Sequence, residues 1–251
     1  MPMSTERRFG GIREKGWLAE YDAPVAKIYL AELQPDHGFF YHYGLNVGSF
    51  AYNTDLVKPS EVPKSWDDLL DPKWKGKIGM QDPKTGGGAH SFVVRMHGLW
   101  GEAKWKRYMD AMGKQISKYG RYFQVREAMA SGEVAIQFVA YPDFTEPLKQ
   151  KGAPVDWSTP DPMLFLGLSV GVSKFAPHPN AGRLLLNFLI SEEAQKIIAD
   201  AGKIPAFPGM RPGTYSRLND ANLVSWRIDM YKLHDKRWFD AQIRESFAVN
   251  R

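Results

Sequence analysis

The run VAIQFVAY at residues 134–141 is almost wholly apolar, β-branched or aromatic, and Pro142 cuts it short. A strand of that kind is buried on both faces, as happens where helices cover a parallel sheet on either side. The flanking sequence supplies such helices. One is predicted over about 121–130, ending at Ser131-Gly132, and another near 143–150, ending at Gly152. Upstream, Phe92, Val93, Met96, Leu99 and Trp100 fall on one helical face with Gly101 as a stop. Trp105, Tyr108, Met109 and Met112 predict the next helix, stopped by Gly113.

Further strands are predicted at 39–52, broken by Gly44 and Gly48, at KGKIGMQDP, and at 162–174. PKSWDDLLDP reads as a short helix capped by Ser65. Asn180 is placed as the cap of a helix carrying Leu184, Leu185, Phe188 and Leu189, and Ser191-Glu-Glu opens another that stops at Gly202. A tail helix buries Trp238, Phe239, Ile243 and Phe247. This alternating order predicts an α/β fold with mainly parallel sheets.

Composition removes several classes of function. Cysteine is absent, which excludes disulfides, thiolate metal sites and cysteine nucleophiles. The charge of +5 is scattered without a basic block, so nucleic acid is not an expected partner. No run is long and apolar enough for a membrane span, and the first residues lack the apolar core of a signal peptide. His90 and His97 lack a placeable third ligand for zinc, so no metal and no cofactor are expected. Asp67 and Asp68 read as helix-capping acids, and Ser169 has the wrong order for a nucleophile elbow.

One stretch asks for a ligand. QDPKTGGGAHSF, residues 81–92, puts three glycines directly before a helix. Glycine there costs backbone entropy, and a close backbone approach is a compensating reason. The first turn of a helix presents unpaired N–H groups and the positive end of the macrodipole, which together suit an anion. Thr85, Gly86, Gly87, Gly88 and Ala89 are therefore candidate ligand-binding residues. The order is not that of a P-loop, because Lys84 and Thr85 precede the glycines.

The blocks YGLNVGSFAYNTDLV, PKSWDDLLDPKWKGKIGMQDPKTGGG, ASGEVAI, KGAPVDW and HPNAGRLLLNFLISEEAQKIIADAGKIP, taken in order, resemble the extracellular solute-binding proteins of ABC importers, in the branch labelled iron(III)-binding. The resemblance implies a two-lobed type II periplasmic-binding fold that holds its ligand in a cleft and presents it to the importer's membrane subunits. It also implies a periplasmic or extracellular location and no enzymatic activity. Residues 1–49 and 146–205 would then form a partial lobe one, 50–145 lobe two, and 206–251 a C-terminal helical segment. Relatives carry a signal peptide and an opening strand-helix-strand section of lobe one. The start of this chain lacks both, so the expectation is a truncated lobe one prone to self-association through its uncovered apolar helix.

Two departures from the family shape the expected ligand. Relatives that hold ferric ion present adjacent tyrosines where this chain reads Tyr141-Pro142-Asp143, and a single phenolate with a carboxylate is a poorer set for that ion. Arg121 stands where relatives often have a small polar residue, and its fork suits a carboxylate or phosphate. Arg121, Tyr141 and Asp143 thus join the candidate site, with Tyr43 and Asn46 from the first block. The expected ligand is a small anionic solute, a carboxylate or phosphate. Alternatives are ferric ion, a non-binding remnant, or an enzyme on the same scaffold using Asp143 or Glu146 as base.

Overall fold

The structure is a computed structural model that describes residues 3–29, 38–85, 87–218, 223–225 and 236–247. In chain order its regular elements are β1 (Met3–Thr5), α1 (Glu6–Glu14), β2 (Phe40–Asn53), β3 (Ile78–Gln81), α2 (Gly87–Gln115), β4 (Ile116–Gly120) and α3 (Tyr122–Ala130). They continue as β5 (Ile136–Ala140), α4 (Pro142–Gln150), β6 (Val155–Trp157), β7 (Met163–Gly171), α5 (Pro179–Leu189), α6 (Glu192–Asp200), β8 (Ile204–Pro205), β9 (Leu223–Ser225) and α7 (Lys236–Ser246). Short 3-10 turns fill several of the connections.

The chain divides into two compact units, Met1–Val47 with Leu164–Arg227, and Gly48–Met163 with Ile228–Arg251. This differs from the division read off the sequence. Residues 146–163 group with the second unit because β6 pairs with β2 at Ala51–Asn53 and α4 packs on β6. The tail is not a segment of its own: it divides at 227/228, and α7 packs on α2.

In the first unit β7 pairs antiparallel with β1, and β2 pairs antiparallel with β8 through Gly44 and Leu45. Phe9, Leu18 and Phe40 form a core, with the Phe9 and Phe40 rings 5.1 Å apart. Gln195 is fully buried, and its amide donates to the carbonyls of Tyr43 and Leu189 at 2.8 Å while accepting from the Phe207 N–H at 3.0 Å. Each buried polar atom of that amide thus has a partner. The fully buried Ser169 lies 3.0 Å from Nδ1 of His42.

In the second unit β3 runs parallel to β4 and to β5, and β2 closes the other side of β5 antiparallel. The sheet is mixed, not mainly parallel, because β2 enters it antiparallel. β5 is buried along its whole length, as its apolar run requires. Its Phe138 ring packs on Phe92 of α2 at 5.4 Å and on Trp66 at 5.8 Å, and Trp66 meets Phe92 at 4.4 Å.

Several local expectations change. β2 is one continuous strand through Gly44 and Gly48, with Gly44 paired to Pro205 of β8. Gly101 does separate two helical stretches, as expected of a stop: it is non-helical at φ 73° and ψ 162°, and the second stretch follows directly across the kink. Gly113 is no stop: a Cβ there would collide with the Ser246 carbonyl, so the glycine leaves room for α7 to dock. His178, not Asn180, is the N-cap of α5, because Pro179 takes the first helical position for which its ring is preset. Ser65 and Asp68 do cap reciprocally, Asp68 N–H to Ser65 Oγ at 3.2 Å and Ser65 N–H to Asp68 Oδ2 at 3.0 Å, but around a 3-10 turn.

On α5 Ala181, Leu184, Leu185 and Phe188 recur at helical spacing and all are exposed, Leu184 at 72%. Leu189, expected with them, is half-buried. Such a stripe favours association. Leu184→Gln is expected to change stability by less than about 0.5 kcal/mol while reducing concentration-dependent light scattering. Gly113→Ala gains about 1 kcal/mol of helix propensity but forces α7 away, an overpacking cost of about 1–3 kcal/mol. Net loss of stability in urea unfolding, with faster amide exchange over 236–247, is the expected result. Gly213→Ala, where no atom lies within 4 Å, is the neutral control.

Candidate functional site

The three parallel strands of the second unit end level with one another. Gln81 of β3 is in register with Gly120 of β4, and the Asp82 N–H donates to the Gly120 carbonyl at 3.0 Å. From those carboxyl ends the chain enters α2 after β3, α3 after β4 and α4 after β5. Open α/β sheets bind ligands at such ends, where loops and helix N-termini converge. Among the expected residues, Thr85, Gly87, Gly88 and Ala89 follow β3, Arg121 follows β4, and Tyr141 and Asp143 follow β5. Gly86 lies outside the described residues.

The three helix starts differ in what already occupies them. At α4, Pro142 removes one N–H and the buried Asp143 places a carboxylate in the first turn, where the dipole favours it. At α3 the Gln124 side chain accepts from the Arg121 N–H at 2.9 Å. The first turn of α2 carries no acidic residue, and the Ala89 N–H donates to Gln81 Oε1 at 3.5 Å. That is the limit of a hydrogen bond, so the amide is weakly held.

Tyr141 stands against the same helix start. A Cβ on Gly88 would collide with the Tyr141 hydroxyl, so the stripped helix start and the phenol are in contact. The residue is 8% exposed and its ring lies 5.3 Å from that of Tyr122. Burial, with the Asp143 charge adding to it, pushes this phenol well above its ordinary range and keeps it a proton donor.

Sequence reasoning missed three rings. Tyr122 lies 5.3 Å from Tyr141 and accepts from its backbone N–H at 3.1 Å, while Phe144 packs on Tyr122 at 5.6 Å and on Phe123 at 5.6 Å. Their signal was the aromatic dipeptide after Gly120 and the Phe three residues after Tyr141. Tyr122 is a second phenol near Tyr141, but burial also pushes it up and its oxygen is spent on the Tyr141 amide. Lys84 lies 4.0 Å from Asp82, whose Oδ1 accepts from the Lys84 N–H at 2.9 Å. Arg121 is exposed and makes no ion pair among the described residues.

Other expected residues fall elsewhere. Tyr43 and Asn46 sit on β2 in the first unit, three residues apart, so strand alternation puts them on opposite faces and they cannot share one surface. Glu146 accepts from Trp157 Nε1 at 3.1 Å, a structural role that leaves the enzyme reading without this base. His90 lies 3.0 Å from the Asp240 carboxylate of α7, and His97 is ringed by Trp105, Trp238 and Phe239. No group of three potential metal-ligating side chains occurs among the described residues.

With this geometry in place the chain can be compared with known proteins. Residues 4–228 match the family model described as bacterial extracellular solute-binding protein. The chain belongs to that family. It is similar to a putative 2-aminoethylphosphonate-binding periplasmic protein of Salmonella typhimurium, 26% identical over 165 residues, which covers 62% of this chain and 48% of that protein. The solute-binding chain thus spans about half the length of that relative. An Fe(3+)-binding periplasmic protein of Serratia marcescens is 23% identical over 232 residues, 87% of this chain and 68% of the relative. Among solved structures, AfuA from Actinobacillus pleuropneumoniae with fructose-6-phosphate bound superposes with a TM-score of 0.76 at 21% identity, covering 98% of this chain and 82% of that one. The fold is the type II periplasmic-binding fold of solute-binding proteins.

Gly88→Ala is expected to displace the Tyr141 ring. The readout is a change in near-ultraviolet tyrosine dichroism together with a loss of about 1–3 kcal/mol in stability.

Proposed function

We propose that this chain is the solute-capturing component of an ABC importer, acting in the periplasm or extracellular space, and that its solute is a small anion bearing a phosphate, phosphonate or carboxylate. The observation that carries the reading is the Tyr141 hydroxyl set directly against Gly88 in the first turn of α2, on a residue only 8% exposed. The α2 amides between Thr85 and Ala89 would receive the anionic oxygens, with the phenol as a further donor. Arg121 and Lys84, on the neighbouring loops, would add attraction at longer range. The phosphonate and sugar phosphate named for two of the similar proteins are of the same chemical class.

Titration calorimetry with methyl phosphate, methylphosphonate and acetate tests this. At least one should bind, and Tyr141→Phe, which keeps the ring and the fold, should weaken it by about tenfold or more. Binding that Tyr141→Phe leaves unchanged, or no binding by any probe, sinks the reading.

Ferric ion is the competing cargo, supported by the Serratia relative. The residues argue against it. Pro142 stands in place of a second adjacent phenol, and Tyr122 points its oxygen at a backbone amide. Stoichiometric ferric ion should therefore give no intense visible tyrosinate band. Such a band, lost in Tyr141→Phe, would favour iron.

A further inference from the structure

The anion site is continuous with a ring surface that nothing in the anion reading uses. Tyr141, Tyr122, Phe123 and Phe144 form one cluster at the starts of α3 and α4: Tyr141 lies 5.3 Å from Tyr122, Tyr122 5.3 Å from Phe123, and Phe144 6.1 Å from Tyr141. Three of the four are buried or half-buried, whereas Phe123 is 53% exposed. A lone exposed phenylalanine needs no explanation. This one is the outer member of a cluster whose inner member is the phenol that stands against Gly88. Its two ring neighbours meet it edge-on, at 86° and 83°, so they hold its orientation. The Arg126 guanidinium lies 4.8 Å from its centroid, but that charge is taken by Glu127 at 2.6 Å and is not available to an anion.

From this placement we infer that the solute is an aryl anion, a phosphate or carboxylate carried by a flat aromatic ring that packs on Phe123 while its anionic end meets Tyr141 and the α2 amides. The inference rests on the proposed anion site and adds the chemistry of the organic part. Offset or edge-on ring packing of this kind is worth about a 3- to 10-fold change in affinity beyond simple burial.

The test is titration calorimetry on the full chain with methyl phosphate, phenyl phosphate and 2-naphthyl phosphate, for the parent protein and Phe123→Ala. Phenyl or naphthyl phosphate should bind about 3- to 10-fold more tightly than methyl phosphate, and Phe123→Ala should abolish that preference while leaving methyl phosphate affinity unchanged. Should Phe123→Ala lower the melting temperature, Phe123→Leu, which keeps the apolar bulk but not the ring face, replaces it. Methyl phosphate binding with no aryl preference, or a preference that survives both variants, overturns this inference alone. Failure of all three phosphates to bind overturns the anion site and this inference with it.

Discussion

The packing of Phe92 on Phe138, with Trp66 wedged against both, is the contact on which the candidate site depends. Phe92 lies one helical turn after Gly88, and Phe138 lies three residues before Tyr141. Locking these two rings together in the core sets the start of α2 against the end of β5. The phenol therefore reaches a helix start. Tyr108 ties Trp66 in turn through its hydroxyl, 2.8 Å from the Trp66 carbonyl, and Trp105 anchors α2 on itself at 2.7 Å from the Val93 carbonyl. A tightly packed apolar layer thus positions polar groups one layer away, and such layers deform little.

Natural proteins tend to place unsatisfied or strained groups where function compensates for them. Here the tension is concentrated at the α2 entrance: glycines that weaken a helix start and an amide held by a side chain at the limit of hydrogen bonding. The neighbouring helix starts lack that tension, because Asp143 and Gln124 already serve them from within the chain.

Much of the fold was legible in the residues. The unbroken apolar run of β5, the stop at Gly101 and the Ser191 cap, whose Oγ accepts from the Ala194 N–H at 3.3 Å, are all encoded within a few positions. Gly44 and Gly113 read locally as breaks, yet strand β2 and helix α2 run through them, and Gly113 is glycine because the Ser246 carbonyl, from a distant part of the sequence, occupies the place of a Cβ. Local sequence records that a side chain is missing, and it does not record which neighbour displaced it. The same limit blurred the boundary between units, since the pairing of β6 with β2 joins residues about a hundred positions apart.

By itself the sequence determined the alternating elements, the family and the glycine-led start of α2, because periodicity, capping and glycine placement act over one or two turns of chain. Tertiary structure alone decided that Gly88 faces Tyr141, that Tyr122, Phe123 and Phe144 join that phenol, and that Tyr43 and Asn46 stand on opposite faces of a strand in the other unit. Those are facts of contact across long sequence separations or of strand register. They are fixed only when three parallel strands end level and an apolar core holds their following helices in place.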